Sequence, residues 1–331
     1  MIAATTPDRR NDVSELLSQG LRIIADEQLS DGEIPNYQCM ADASWQYCFS
    51  PLISAYVYDA LSCFDPQSVR FEPQAAERLE TARRALFLRS VAHIRHRIRR
   101  FLAWQESSTG GWRFFGQGSG LPPDLDLTAC AATVFIDPNT LPLNPSTDRR
   151  LRDLERFRAA DGTFHGPGSR NEMQFDPALL WMANCNVLRY LALTGGETTA
   201  LEAAILNALV SVAAAPSDAL PLHYAAARAW RHGQMDSLSI LASYLLPLAT
   251  GAQQSSKGPL SAALTVLILL ELGAPAEELD QTVYPLLTWW DSPFSRKFET
   301  FCDSRCGSPA LTAALTMAAV ARAGTARDPA Q

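Results

Sequence analysis

Six times in this chain a proline stands at or next to the start of an Ala/Leu-rich stretch with helical periodicity. The pairs are Ser50-Pro51, Pro123-Asp124, Asp176-Pro177, Leu220-Pro221, Gly258-Pro259 and Ser308-Pro309, with successive prolines 38 to 72 residues apart. Proline suits the first turn of a helix because the N–H it lacks would find no intrahelical partner there. Between these starts lie six more amphipathic, more charged stretches: 13–29, 82–105, 147–160, 198–214, 235–250 and 276–290. No two-residue alternation is long enough for a sheet. The pattern predicts an all-α chain of twelve helices paired as six hairpins.

A hairpin must stack on its neighbours to bury its apolar stripe, and six pairs favour closure into a ring over an open solenoid. The expected architecture is one α/α toroid spanning 1–331, with flexible tails at 1–11 and 325–331. The proline-started helices are rich in small residues (Ala129, Ala131, Ala132; Ala225, Ala226, Ala227; Ala262, Ala263) and belong on the inner ring, where backbones crowd. Charged partners such as the stretch Leu151 to Phe157 belong on the outer ring. Loops entering the inner helices would rim one mouth of a central cavity, with positive helix ends toward it.

Composition narrows the function. With 331 residues, 47% apolar and 19% charged, the chain can bury a large core and is not disordered. A net charge of −7 lacks the cation excess that nucleic acid demands, so no nucleic-acid partner is expected. The basic run Arg89 to Arg100, with His93 and His96, reads as an exposed helix face. The longest apolar run, Ser261 to Leu270, has the length of a core helix, not a membrane span. No apolar leader follows Met1, so a cytoplasmic protein with at most peripheral membrane contact is expected. Seven cysteines, an odd number scattered through helical text, argue against a disulfide framework.

Three outer stretches end in related loops: Gln28-x3-Gly32-x-Ile34, Gln105-x4-Gly110-x-Trp112 and Arg158-x3-Gly162-x-Phe164. The first two resemble the Gln-Trp repeat of the terpene cyclase and protein prenyltransferase toroids. A simpler reading is a helix C-cap glycine with an apolar residue folding back. More specific is Asp124-Leu-Asp126-Leu127-Thr128-Ala129 at an inner-helix start. It is similar to the Asp-x-Asp-Asp-Thr-Ala acid motif of class II terpene cyclases, squalene–hopene cyclase among them, with Leu127 in place of the last Asp. The resemblance implies that Asp126, assisted by Asp124, protonates a terminal alkene or epoxide of an isoprenoid or lipid-like substrate, starting a carbocation cyclisation or isomerisation. The missing Asp suggests a weaker acid, and with it a changed reaction on a prenylated aromatic or another activated lipid.

Protonating an alkene needs a carboxylic acid kept neutral in a dry cavity, and burial plus a second carboxylate both raise a carboxyl pKa. Residues two apart do not share a helix face, so the pair requires Asp124 to lie in the loop before the helix. Alternatively, Asp124 simply caps the helix and Asp126 sits in its first turn. A cation also wants aromatic faces, each contributing about 1 to 2 kcal/mol when desolvated. Trp112, Phe115, Trp181, Tyr224, Trp289, Trp290 and Phe298 are the candidate lining residues. Asn184, Asn186 and Arg189 are polar in apolar helical text, fit either for substrate binding or for inter-helix hydrogen bonds. His223 stands where Asp124 stands in its own repeat, fit either to position or reprotonate an acid or to be an ordinary histidine with its hydrogen bonds satisfied. Arg296, Lys297 and Arg305 read as exposed loop cations.

No cofactor is expected, with Mg2+ conceivable only for a diphosphate substrate. Cys302-Asp303-x2-Cys306, with His223 or His165, offers zinc ligands without a recognisable signature, so zinc is not expected. Two other classes stay open. One is a carbohydrate-active toroid using two of Asp31, Asp161, Glu172 and Asp176 roughly 5 to 10 Å apart. The other is a non-catalytic helical binding scaffold.

Overall fold

A computed structural model describes residues 9–40, 44–65, 81–136, 148–166, 177–212, 220–233, 258–288 and 306–325, with a few single positions between them. Eleven helices are described: α1 (Arg9–Glu27), α2 (Pro51–Ala60), α3 (Thr81–Gln105), α4 (Leu125–Thr133), α5 (Arg149–Glu155), α6 (Pro177–Thr194), α7 (Thr199–Val212), α8 (Leu220–Gly233), α9 (Pro259–Glu271), α10 (Ala276–Thr288) and α11 (Pro309–Thr325). Most of the expected helix at 235–250 lies outside the described residues, as do residues 1–8 and 326–331.

Every proline-marked start opens a helix. Pro51, Pro177, Pro259 and Pro309 are first residues, Pro221 is second in α8, and Pro123 precedes the cap of α4. These six helices touch in sequence: α2 packs on α4, α4 on α6, α6 on α8, α8 on α9, α9 on α11, and α11 again on α2. The others lie outside that circuit, with α3 on α2, α5 on α4, α7 on α6, α10 on α9 and α11, and α1 on α11 and α3. Burial agrees: Ala310 to Ala323 of α11 are buried throughout, as a helix enclosed on all sides must be.

Three loops carry the chain from an outer to an inner helix by the same turn. The N–H of Leu29, Ser107 or Ala159 donates to the carbonyl four residues on, while Gly32, Gly110 or Gly162 donates back to the first residue's carbonyl. Each of these glycines has positive φ, +102°, +107° and +86°. Two residues later the fully buried Ile34, Trp112 and Phe164 donate their N–H to a side chain on the next inner helix. The acceptors are Ser54 Oγ at 2.9 Å, Thr128 Oγ1 at 3.0 Å and Asn184 Oδ1 at 2.8 Å. One hydrogen bond per repeat thus sets inner helix against loop, and places Ser54, Thr128 and Asn184 at corresponding positions.

Two expectations are corrected. A small antiparallel sheet, β2-β1-β3, is formed by β1 (Tyr37–Cys39), β2 (Trp45–Tyr47) and β3 (Cys306–Gly307). Strands of two or three residues are too short to register as alternation. They join the loop before α2 to the residues before α11, across the contact between first and last inner helices. Within the basic run of α3, Arg95 is buried instead of exposed, ion-paired to Asp65 with its guanidinium 4.0 Å from the Tyr58 ring centroid. No helix among the described residues is long and apolar enough to cross a membrane.

Candidate active site

The acid motif sits where an outer-to-inner loop becomes α4. Asp124 is the cap: its backbone is extended (φ −84°, ψ 137°) and its Oδ1 accepts from the Leu127 N–H at 2.8 Å. Lying before the first helical residue, it escapes the geometry that would set residues two apart on different faces. Asp126 follows in the first turn, half-buried. Burial, then the neighbouring charge of Asp124, pushes its carboxyl up to about 7, against the opposing effects of the Asn186 hydrogen bond, Arg228 and Cys130. A carboxyl in this range is substantially protonated at neutral pH.

A buried polar chain runs from Asp126 across the inner helices. Asn186 of α6 donates from Nδ2 to Asp126 Oδ1 at 2.7 Å and to the Tyr56 hydroxyl of α2 at 3.1 Å. Its own Oδ1 accepts from Arg228 Nη2 of α8 at 2.8 Å. Arg228 also donates to Asp59 Oδ2 at 2.8 Å, and Arg189 takes the other oxygen of Asp59 at 2.6 Å. The Arg228 guanidinium lies 4.5 Å from the Tyr224 ring centroid and 5.0 Å from that of Tyr56. The Cys130 thiol reaches Asp126 Oδ1 at 3.8 Å, and burial raises its pKa.

Repeat geometry explains these meetings. Two residues past the loop-binding positions Ser54, Thr128 and Asn184 come Tyr56, Cys130 and Asn186; five past come Asp59 and Arg189. Side chains at corresponding turns of adjacent inner helices therefore converge. Asp126, four residues before Cys130, lies about 6 Å along the axis from that layer, by the rise of 1.5 Å per residue.

The other expected residues separate clearly. Arg189 serves Asp59 and makes no bond to Asp126. Asn184 locks the loop, donating to the carbonyls of Phe164 and Leu180. Trp112 is fully buried, donates Nε1–H to the Leu102 carbonyl at 2.8 Å and stacks on Phe135. Phe115 is 48% exposed, and Trp181 is half-buried against the core. Tyr224 faces Arg228, while burial drives His223 down to about 4, so it stays neutral. Trp289, Trp290 and Phe298 lie outside the described residues, as do Cys302, Asp303, Glu172 and Asp176. Among the described residues no three His, Cys, Asp or Glu side chains gather as metal ligands would.

Sequence reading passed over Tyr56, Asp59, Cys130 and Arg228. Asp59 and Arg228 carried the same signal that marked Asn186 and Arg189, a polar side chain inside apolar inner-helix text.

A scan against protein-family models and a search of curated proteins find no match. Among solved structures the chain has the fold of a type II terpene cyclase. It is similar to MstE from Scytonema in its apo form, with a TM-score of 0.59 at 12% identity, covering 96% of this chain and 99% of that one. A variant of MstE in complex with geranylgeranyl dihydroxybenzoate, its substrate, gives 0.59 at 13% identity over the same shares. A variant in complex with merosterolic acid A, its product, gives 0.57 at 13% identity, covering 96% and 98%.

Proposed function

We propose that this chain is an enzyme of the class II terpene cyclase type, a single closed α/α toroid in which Asp126 begins a carbocation cyclisation of a prenyl chain. The observation that carries the reading is the place of Asp126, in the first turn of α4 with its carboxyl 2.7 Å from the buried Asn186 amide that also meets Tyr56 of α2 and Arg228 of α8, a setting whose burial pushes the carboxyl up to about 7. The returning circuit of contacts, the Asp-x-Asp-Leu-Thr-Ala resemblance and the likeness to MstE support the same reading.

The chemistry follows from the hydrogen bonds. Among the described residues both bonds to the Asp126 carboxyl fall on Oδ1, so the acid carries its proton on Oδ2. That proton passes to the terminal alkene, whose π pair forms the new C–H bond and leaves a tertiary cation. Internal double bonds then attack in turn, and loss of a proton from the last cation closes the reaction as an isomerisation. A Brønsted acid supplies the electrophile, so the route calls for no metal. The substrate class we infer is a prenyl chain borne on an aromatic acid, as in the MstE complexes.

The test is turnover on a panel of geranylgeranyl dihydroxybenzoate, geranylgeranyl diphosphate and squalene, followed by mass spectrometry. Cyclised prenyl arene from wild type, with a loss of at least about a hundredfold in Asp126→Asn, is the expected result, that being the low end of what a positioned acid contributes. Undiminished turnover by a folded Asp126→Asn variant, or no cyclisation of any panel member, overturns the proposal.

A further inference from the structure

The loop that enters α2 buries a second carboxyl, outside the network of Asp126. Glu33 is 1% exposed, and the Tyr47 hydroxyl of β2 donates to its Oε2 at 2.9 Å, with Oε1 at 3.1 Å. Among the described residues no other donor reaches the carboxyl. An ionised carboxylate offers about four acceptor sites, whereas a phenol has one hydrogen. The single bond therefore suits a neutral Glu33 and leaves an ionised one as a buried charge with most of its hydration unreplaced.

Tyr47 lies in a sheet that spans the seam of the ring. It pairs with Tyr37 of β1, which pairs in turn with Gly307 of β3, the strand leading into α11. The Tyr37 and Tyr47 rings meet edge to face at 6.4 Å, and the Tyr37 hydroxyl donates to Glu27 at the end of α1 at 3.2 Å. Strands of two and three residues make few ladder bonds, and so small a sheet is marginal without packing beneath it. Its hold on the loop before α2 rests on side-chain contacts such as that of Tyr47 with Glu33.

We propose that Glu33 and Tyr47 form a proton-operated clasp on this seam: with the Glu33 proton in place β2 is held against the loop before α2, and loss of that proton releases β1 and β2 so that water reaches the carboxylate. The inference does not depend on Asp126 being the acid. The groups facing Glu33 among the described residues favour its proton. Asp31 of its own loop raises it, Tyr47 opposes through the hydrogen bond, and Cys48 follows Tyr47 in the same cluster. On the flanking helices, Glu27 of α1 is engaged by Tyr37, and Arg97 of α3 donates to the Leu29 carbonyl. Burial is the largest influence, and the carboxyl is pushed up from 4.5 to about 7. The clasped form thus binds a proton that the released form has given up, so clasping is favoured below about 4.5 and is lost as pH climbs through about 7.

Hydrogen exchange of the backbone amides of Tyr37 to Cys39 and Trp45 to Tyr47, corrected for the intrinsic base-catalysed rate, tests the clasp. From pH 6 to pH 9 wild type is expected to lose about tenfold in protection, the amount that a rise from 4.5 to about 7 allows over that interval. Glu33→Gln keeps an acceptor for Tyr47 without the charge, and its protection is expected to change by less than about twofold. Glu33→Leu is expected to be equally flat, which covers the case in which the glutamine variant fails to fold. If neither folds, a carboxyl NMR titration of Glu33 in wild type decides, since its midpoint has to coincide with that of the lost protection. Tyr47→Phe removes the grip and is expected to lower protection already at pH 6. Wild-type protection that does not change with pH, a Glu33 variant that keeps the wild-type response, or midpoints that do not coincide overturns the inference.

Discussion

Ionising Asp126 opposes folding. Its carboxyl rises from an ordinary 3.8 to about 7 in the folded protein, so the native state binds a proton that the unfolded chain has released. The sign is that of a raised acid: stability is highest below the unfolded pKa and declines as pH climbs from about 4 through about 7. Asp126→Asn removes that decline, and at pH 8 the variant is expected to be more stable than wild type by roughly 1 to 3 kcal/mol, with little difference at pH 4. Thermal melts at the two pH values check this. Glu33, buried beneath the Tyr47 hydroxyl and also pushed up to about 7, keeps its own share of the slope in both proteins. Asp124→Asn separates the two tasks of its residue. Asparagine caps a helix as well as aspartate does, so stability should hardly change. The like charge beside Asp126 is gone, however, so the high-pH limb of activity should move downward.

Helices and loops show where sequence reasoning reached and where it stopped. The proline starts, the hairpin pairing and the glycine loops were legible, because each rests on local backbone chemistry within a few residues. The partners of those loops were not. Nothing in the text around Ile34, Trp112 or Phe164 says that Ser54, Thr128 and Asn184 accept their N–H groups, since those contacts span 16 to 20 residues and depend on how outer helix meets inner. The same holds for the acid: Asp124 and Asp126 were legible as a motif, whereas Asn186 and Arg228 join them only through packing of α4, α6 and α8. Two substitutions test the loop device. Thr128→Val leaves the buried Trp112 N–H without its acceptor and should cost about 1 to 3 kcal/mol in denaturant unfolding. Gly32→Ala would set a Cβ 2.3 Å from the Arg97 carbonyl oxygen at φ +102°, and should destabilise by at least about 1 to 3 kcal/mol. Gly118, with nothing within 4 Å and no positive φ, should tolerate alanine.

Across the whole molecule, each inner helix of the circuit rests on two inner neighbours, so no repeat is a free end. An open solenoid loses terminal repeats one at a time, whereas a ring missing one hairpin exposes apolar faces on both flanks. Truncation after Lys257, which removes α9 to α11, is accordingly expected to abolish cooperative melting instead of leaving a smaller folded array; circular dichroism decides between them. The buried ion pairs add a different kind of consequence. Asp59 carries one negative charge against the two positive charges of Arg189 and Arg228. Of this charge, Arg228 reaches Asp126 and opposes the lift that burial and the Asp124 carboxylate give its carboxyl. On the proposed chemistry, the carboxylate left by proton transfer faces that guanidinium field, which weakens its pull on the newborn carbocation. The positive charge is then free to travel down the chain from ring to ring, and is less prone to be recaptured as an ester at the place where it was made.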